Sequence, residues 1–564
     1  MPGGLLNLVS IGGQNVIFNG NPQKTFWTST FKSYTNFGIQ NFRLDYEGLR
    51  QINMSTDSVF TFKVKRYADL LMDTYLVMTL PDIYSPILPP TCPTAEDTSG
   101  TWQPYEFKWI KNLGAMMIRT IKFTVGGNLI QSMTGYDMVA LANRDLAGTK
   151  KAKWDAMTGN TVDMYDPANA FGRSDSYPNA VYETGRSEPS IRGREIYVPI
   201  PIWWSLNSQQ AFPLVCLQYN ELQIEVTMRP MRELFQVRDV TDPANNYPVV
   251  APNFNVAEFQ FYRFIQPPPN PSLVYTDFTT SWYENMHLSS NFCFLSEEET
   301  VVFASTSRNY LIRELHDSWF FNVSTTDKAW LQNSTAMVLG WMMMFQRSDV
   351  NLRNEWSNFT NWPYDYLPYN IALLPANLTE GESPCPIQFT AVDGTEITSM
   401  GYGVNPNGTY TLLSGTGPYE YDNTKEILLT LGIYFDGTMR EEVRSRNVYK
   451  YEQQYKASEG YGAVQLAGLY CYNFCLNTSP YVLQPSGAMN LSKYSKIELD
   501  FTTIQPLINP DASVFVICDP ESGASLGTRK TAAFYEYTYN FLVVEERYNV
   551  LTFVGGNASL MNAR

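Results

Sequence analysis

Histidine is the side chain best suited to acid–base catalysis near neutral pH, and this 564-residue chain contains two, His287 and His316. Neither lies near a serine or cysteine motif such as Gly-x-Ser-x-Gly, so a Ser–His or Cys–His hydrolase has almost no support in the sequence. We interpret both histidines as structural residues. We therefore expect no catalytic residue, no cofactor and no enzymatic activity.

Two further motifs could bind a metal or a phosphate, but their spacing is unfavourable. The run Glu297-Glu298-Glu299 has no EF-hand spacing, and in a strand its members would point to opposite faces, so we predict a solvated turn and no metal site. The motif Gly401-Tyr402-Gly403 lacks the third glycine and the following helix of a phosphate-binding loop. We predict an ordinary loop there.

The cysteines are odd in number and scattered: Cys92, Cys216, Cys293, Cys385, Cys471, Cys475 and Cys518. Only Cys471 and Cys475 are close together, and their spacing fits neither a zinc finger nor a thioredoxin motif. On a strand it would place both on one face with Asn473. We favour free thiols in a reducing compartment over a disulfide framework.

The charge balance argues against a nucleic-acid-binding protein. The net charge is −15, whereas phosphate binding needs concentrated Lys and Arg. Residues 1–9 have no basic region and no long apolar core, and no run of eighteen apolar residues occurs elsewhere, so we expect neither a signal peptide nor a membrane span. Synthesis and folding in the cytosol are the expectation.

The elements that would position any site are strands. The chain contains 37 Tyr and 32 Phe, which favour pleated sheet. Apolar and polar residues alternate over residues 60–64, 497–501 and 535–543, with the period of half-buried strands. Turn residues separate these runs without an intervening helical period. An antiparallel β-sandwich is therefore predicted.

Other segments complete this pattern. Residues 136–146 have helical spacing and predict a short helix that caps a sheet edge. Residues 118–125 and 257–264 predict strands, and the methionine-rich run 341–345 predicts core packing. The chain is too long for one core, so we expect two large domains, over 27–304 and 317–564, with an extended arm over 1–26 and a linker over 305–316.

Several short motifs follow one another along the chain: Gly12-Gly13-Gln14-Asn15-Val16, Asn19-Gly20-Asn21-Pro22, Val125-Gly126-Gly127-Asn128, Pro199-Ile200-Pro201-Ile202-Trp203-Trp204, Pro213-Leu214-Val215-Cys216-Leu217-Gln218-Tyr219-Asn220, Asn309-Tyr310-Leu311-Ile312, Gln484-Pro485-Ser486-Gly487-Ala488-Met489-Asn490-Leu491-Ser492 and Tyr548-Asn549-Val550-Leu551. In number and order this series resembles the major capsid proteins of nucleocytoplasmic large DNA viruses. Met489 and Leu491 depart from the family's tail motif, and the loops at 82–104, 238–286 and 348–425 are expanded.

The resemblance implies an all-β fold of two consecutive eight-stranded antiparallel jelly rolls, with short helices and long loop insertions. It also implies a structural protein that forms homotrimeric, pseudo-hexagonal capsomers in the icosahedral shell of a double-stranded DNA virus. The implied partners are neighbouring capsomers and minor capsid and penton proteins. Nucleic acid would not be contacted directly, and an inner membrane only indirectly. The protein would be made in the host cytoplasm and end in the outer shell of the virion.

Asparagine acceptor patterns for glycosylation are frequent, at Asn53, Asn322, Asn333, Asn358, Asn377, Asn407, Asn477, Asn490 and Asn557. A cytosolic product does not meet the secretory glycosylation machinery, so chance explains most of them. Some viruses of the kind that the chain resembles are suspected of glycosylating their capsids with their own enzymes. Asn377 and Asn407, in long loops, are the candidate sites.

Two other classes of protein fit a β-sandwich. A carbohydrate-active enzyme would use paired carboxylates in an aromatic cleft, but no pair can be named from the sequence. A lectin-like module would be a monomer or dimer with affinity for sugars. A stable trimer distinguishes the capsid protein from both.

Overall fold

The structure is a computed structural model that describes residues 4–6, 12–48, 50–86, 105–173, 177–180, 187–239, 248–269, 275–332, 334, 336–365, 389–390, 396–397, 402–404, 410–412, 424–509, 512–518, 520 and 523–562. Antiparallel strands dominate it. The strands of the first half are Gly38–Leu44 (β1), Ser58–Val64 (β2), Leu70–Thr79 (β3), Tyr105–Trp109 (β4), Ile118–Val125 (β5), Asn128–Thr134 (β6), Glu195–Pro199 (β7), Phe212–Pro213 (β8), Leu222–Met228 (β9), Phe235–Arg238 (β10), Val249–Val250 (β11) and His287–Phe294 (β12).

The strands of the second half are Arg308–Val323 (β13), Thr326–Leu331 (β14), Met337–Arg347 (β15), Phe389–Thr390 (β16), Glu396–Ile397 (β17), Tyr402–Val404 (β18), Tyr410–Leu412 (β19), Leu428–Phe435 (β20), Thr438–Ser445 (β21), Leu469–Asn473 (β22), Met489–Asn490 (β23), Ile497–Thr503 (β24), Val514–Cys518 (β25), Ser525–Lys530 (β26), Tyr539–Val554 (β27) and Asn557–Leu560 (β28).

The two halves have the same topology. In the first half the main sheets have the orders β1-β12-β3-β7 and β2-β9-β5-β6, and in the second half β13-β27-β15-β22 and β14-β24-β20-β21. Each half therefore has eight strands in its two main sheets. When these eight strands are numbered 1 to 8 in chain order, both halves have the sheet orders 1-8-3-6 and 2-7-4-5. This order is that of an eight-stranded jelly roll, so the predicted fold of two consecutive jelly rolls is confirmed.

Short helices lie between these strands: Val16–Asn19 (α1), Leu113–Met116 (α2), Gly135–Asp145 (α3), Gly148–Met157 (α4), Val162–Tyr165 (α5), Trp203–Leu206 (α6), Glu297–Ser305 (α7) and Gln453–Ala457 (α8), the last preceded by a π-helical turn over Val448–Glu452. The helix predicted over 136–146 is α3. A capping box fixes its start: Thr134 accepts a hydrogen bond from the backbone N–H of Asp137, and the Asp137 carboxylate accepts one from the N–H of Thr134.

The alternating patterns correspond to strands with one buried face. In β2, Phe60, Phe62 and Val64 are buried and the intervening residues are half-buried. The same alternation buries Ile497, Leu499 and Phe501 in β24. Strand β5 spans 118–125, as predicted.

Three predicted elements are wrong. Residues 535–543 are not one strand, because β27 begins at Tyr539 and Tyr535 makes an isolated bridge with Ile508. Residues 257–264 form two 3₁₀ turns. Glu297, Glu298 and Glu299 form the first turn of α7, where carboxylates interact favourably with the positive end of the helix dipole, and not a solvated turn.

Two further segments differ from the prediction. Most of the segment predicted as a linker, 305–316, is strand, because β13 begins at Arg308. Tyr402 and Gly403 belong to β18, whereas a loop was predicted there. Gly401 itself lies outside the described residues.

The long insertions of both rolls leave from one end of the molecule. They occur at 80–117 and 229–286 in the first roll and at 348–427 and 504–538 in the second, which in both rolls are the connections from strand 3 to 4 and from strand 7 to 8. Strand 3 pairs antiparallel with strand 8, so the two connections emerge side by side. Insertions of different rolls touch there, since Asn354 Nδ2 donates to Arg232 O at 2.7 Å and Phe235 O at 2.8 Å. We call this the insertion end.

Candidate functional site at the interface between the jelly rolls

The outer face of the sheet β13-β27-β15-β22 is covered by the first jelly roll. Alternate residues of β27 face two different cores: Phe541 and Val543 pack inside the second roll, whereas Leu542 and Val544 join a core that is continuous with the first roll. The neighbouring strand β15 does the same, with Met343 inside and Met342 and Met344 at the interface. The predicted core packing of the methionine-rich run is thus confirmed, and part of that run joins the two rolls.

Aromatic contacts extend this interface across its width. The rings of Tyr136 and Trp319 lie 5.3 Å apart, centroid to centroid, those of Trp203 and Tyr310 5.8 Å, and those of Phe212 and Phe553 5.4 Å. In each pair one ring belongs to the first roll and the other to the second. The rolls therefore meet through a packed apolar surface and not through a flexible tether.

A cluster of buried charges lies within that apolar surface. The Arg144 side chain, at the end of α3, is 1 % exposed, and its Nη2 donates to Asp145 Oδ2 and to Glu546 Oε2, both at 2.7 Å. Arg313 of β13 donates to the other Glu546 oxygen at 3.2 Å. Because each of the two carboxylates has a guanidinium partner, the charges can remain ionised without water.

Backbone and hydroxyl groups complete this cluster. Arg313 donates to Thr478 O at 2.8 Å and to Ser479 O at 3.1 Å, and Thr478 Oγ1 donates to Asp145 Oδ1 at 2.8 Å. Burial opposes the charge on Glu546, but Arg144 and Arg313 outweigh it and lower the pKa of Glu546. For Asp145 burial is the larger effect and raises its pKa despite the Arg144 guanidinium. The Glu546 carboxylate thus carries the anionic charge that bridges the rolls.

A second polar contact joins two carboxyl groups. Thr134 Oγ1 lies 3.0 Å from Asp137 Oδ2 in the first roll and 3.3 Å from Asp317 Oδ2 in β13 of the second. Burial and then the nearby Asp317 raise the pKa of Asp137 well above its ordinary value. A proton shared between the two carboxyl groups removes their repulsion, so this contact favours the protonated state.

Glu545, next to Glu546 in the chain, points into the second roll. Its carboxylate accepts hydrogen bonds from Trp341 Nε1 at 2.9 Å and from the Ser334 hydroxyl, and burial raises its pKa. None of these groups was predicted from the sequence. A signal was present, because Glu545, Glu546 and Arg547 interrupt the apolar run of β27, and charges inside such a run must find partners.

The two histidines have separate surroundings. His287 begins β12, is buried, and has its Nδ1 2.7 Å from Asn285 O. His316 lies in β13, in register with Glu545. Within the described ranges, no group of three or more His, Cys, Asp or Glu side chains could hold a metal ion. Asn377 and Asn407, the candidate glycosylation sites, lie outside those ranges.

Five cysteines can be placed. Cys216, Cys293, Cys471, Cys475 and Cys518 are free thiols, as predicted for these five, while Cys92 and Cys385 lie outside the described residues. Cys471 belongs to β22 but Cys475 follows its end, so the two do not share a strand face. Burial raises the pKa of Cys471 to about 12, which makes it a poor nucleophile. No helix in the described parts of the chain is long and apolar enough to cross a membrane.

Comparisons with known proteins agree with this architecture. Residues 25–264 match the family described as "Major capsid protein N-terminus". The major capsid protein of Phaeocystis pouchetii virus is 23% identical over 99% of both chains. That of Chrysochromulina ericina virus is 29% identical over 41% of this chain, and the match spans 42% of that relative.

A solved structure, the Faustovirus major capsid protein, has the same fold. It superimposes with a TM-score of 0.58 over 96% of this chain and 94% of that chain, at 13% identity. The relatives of matching length, the family match over the first roll and the repeated jelly-roll topology point the same way. Over its whole length the chain is similar to a major capsid protein of a large DNA virus, and its first jelly roll matches the amino-terminal model of that family.

Proposed function

We propose that three copies of this chain associate into a pseudo-hexagonal capsomer and that these capsomers tile an icosahedral virus shell. The observation that carries the proposal is the interface between the two rolls of one chain. Two jelly rolls of one topology pack there in a single fixed arrangement. If the second roll of one copy meets the first roll of the next in the same way, three copies close a ring of six rolls.

The surfaces that this repetition requires are free in the single chain. Within the chain, the outer face of the second roll's sheet covers β6 and α3 of the first roll. By chain order, the equivalents on the second roll are β21 and the segment from Val448 to Ala457. There Tyr455 is 93% exposed and Tyr451 and Val443 are about half exposed. We call these three residues the tyrosine patch, and exposed apolar side chains of this kind support an interaction surface.

The counterpart of the covered sheet is the sheet β1-β12-β3-β7 of the first roll. Its outer face exposes Ile39 and Tyr197. We propose that this face of one copy covers the tyrosine patch of the next. The contact is heterologous, so it closes a ring only when the rotation between successive rolls suits it.

The insertion end would form the outer surface of the shell. Long insertions are tolerated where they project into solvent, and all four leave from that end. The net charge of −15 would keep free capsomers apart. In the shell the partners would be neighbouring capsomers, minor capsid proteins and penton proteins. Nucleic acid would not be contacted directly, and an inner membrane only indirectly.

Electron microscopy of the purified protein in negative stain tests this proposal. Particles with threefold symmetry and a hexagonal outline are expected. Uniform particles of the size of one chain, with two jelly rolls each, would contradict the proposal. The protein would be made in the host cytoplasm, and antibody labelling of infected cells would follow it from there to the virion shell.

A further inference from the structure

A cavity of about 400 Å³ lies between the two jelly rolls, beside the buried charges. Both rolls line it, and most of its wall is apolar or aromatic, including Met138, Leu141, Trp154, Trp203, Leu315 and Tyr481. Its volume is in the range of sites that bind small organic molecules. Nothing in the proposed capsomer requires a cavity at this position.

Three polar atoms of the lining residues have no hydrogen-bond partner within the described protein. They are Trp203 Nε1, Gln131 Oε1 and Ser205 Oγ. The side chains of Trp203 and Gln131 are buried, at 3% and 2% exposure. A buried donor or acceptor without a partner is destabilising, so a polar group of another molecule is expected to satisfy these atoms.

The charged side chains around the cavity limit the charge of that molecule. Asp145, Glu546 and Arg313 line the wall but are already paired with one another or with Arg144. Lys150 is exposed, and its Nζ lies 3.9 Å from the centre of the Tyr481 ring. An added carboxylate in the interior would face Asp145 and Glu546, and Lys150, the lysine of the lining, is exposed to solvent, so a neutral molecule fits better.

We propose that this cavity binds a neutral amphiphile, a molecule with an apolar body and one or two hydroxyl groups. A hydroxyl accepts a hydrogen bond from an indole N–H such as that of Trp203 and donates one to an amide oxygen such as that of Gln131. The apolar body packs against Met138, Leu141 and Leu315. Water alone leaves this part of the cavity poorly filled, because a buried water needs two to four polar partners. A bound amphiphile would connect the two rolls.

Thermal unfolding of the purified protein with 1-decanol as the probe tests this proposal, with sodium decanoate as its charged counterpart. Decanol is expected to raise the midpoint of unfolding, and decanoate to raise it less. Leu141→Trp fills the cavity and is expected to abolish the decanol effect. Leu352→Trp, at a position 61% exposed and outside the cavity lining, is the matched control and keeps the effect.

Trp203→Phe provides a second test, should Leu141→Trp fail to fold. It retains an aromatic ring but removes the N–H donor, and a decanol affinity about tenfold weaker is expected. No decanol effect on the wild-type protein would mean that the cavity holds only water, and would overturn the proposal. An equal effect on wild type and Leu141→Trp would place decanol elsewhere and would also overturn it. None of these outcomes depends on trimer formation.

Discussion

The guanidinium of Arg144 and the carboxylate of Glu546 are 402 residues apart in the chain and 2.7 Å apart in the structure. One side chain ends a helix of the first jelly roll and the other lies in the last long strand of the second. Both are almost completely buried. The pair fixes how the two rolls pack against each other. We propose that the same packing of one roll against another recurs between copies of the chain.

Removal of one partner from this cluster should be strongly destabilising. Arg144→Met leaves the Asp145 and Glu546 carboxylates buried beside only one guanidinium, that of Arg313, and the free energy of unfolding should fall by about 3–5 kcal/mol. Urea denaturation followed by fluorescence measures this change. Lys122→Met, in the exposed pair with Glu225, is the control and should change it by less than about 1 kcal/mol. Equal effects of the two variants would show that the buried cluster has no special role.

The carboxyl pair predicts a stability that decreases with rising pH. Burial and Asp317 raise the pKa of Asp137 in the folded state above its unfolded value. The stabilisation is therefore complete below the ordinary aspartate pKa of about 3.9 and is lost as the pH rises through the raised folded value. Asp137→Asn keeps a hydrogen-bond donor at every pH. The midpoint of thermal unfolding, compared between wild type and variant from pH 5 to 9, should converge at acid pH and favour the variant at alkaline pH.

Asp45→Asn, at an exposed carboxylate paired with Arg43, is the control for that series and should follow the wild-type curve. A constant difference between wild type and Asp137→Asn at every pH would mean that the pair does not titrate in this range.

Gly460 places the backbone of the second roll directly against the end of α3. Its N–H donates to Arg144 O at 2.8 Å, and a Cβ atom there would lie 2.3 Å from Asn143 O and 2.4 Å from Arg144 O. Gly460→Ala must therefore displace one segment, and we expect a loss of about 1–3 kcal/mol by urea denaturation. Gly527→Ala, where an added Cβ meets nothing within 4 Å, should be nearly neutral. A neutral Gly460→Ala would show that the two segments separate freely.

The tyrosine patch predicts a variant that folds but does not assemble. Tyr455 is 93% exposed in the single chain, so Tyr455→Glu should leave the thermal midpoint of the monomer unchanged while it buries a charge in the proposed contact. Analytical ultracentrifugation should show trimer dissociation at concentrations at least tenfold higher than for wild type. Tyr283→Glu, also exposed but in an insertion of the first roll, should assemble normally. Unimpaired assembly of Tyr455→Glu would exclude the patch from the contact.

The sequence predicts elements with one buried face well. Residues 118–125 and the alternation in β2 and β24 follow from local pattern, because one side of each strand faces a core. The bounds predicted for β27, 535–543, were wrong. Its two faces enter different cores, so both faces are apolar after Phe541 and the alternation of apolar and polar residues disappears there. The helix that begins at Glu297 was predicted as a solvated turn, because three consecutive acidic residues suit a solvent-exposed turn and the first turn of a helix equally well.

The site was less predictable than the fold. The charged residues that join the two rolls are far apart in the chain, by 402 residues for Arg144 and Glu546. No spacing rule predicts that pair or the contact of Asp137 with Asp317. Only the presence of Glu545, Glu546 and Arg547 within an apolar strand indicated that partners were needed.

The native mass of the purified protein tests the central claim most directly. Size-exclusion chromatography with light scattering should give three times the chain mass of 64.2 kDa, in one peak that persists on dilution. A mass of 64.2 kDa at all concentrations would contradict the claim that the interface between the rolls recurs between copies.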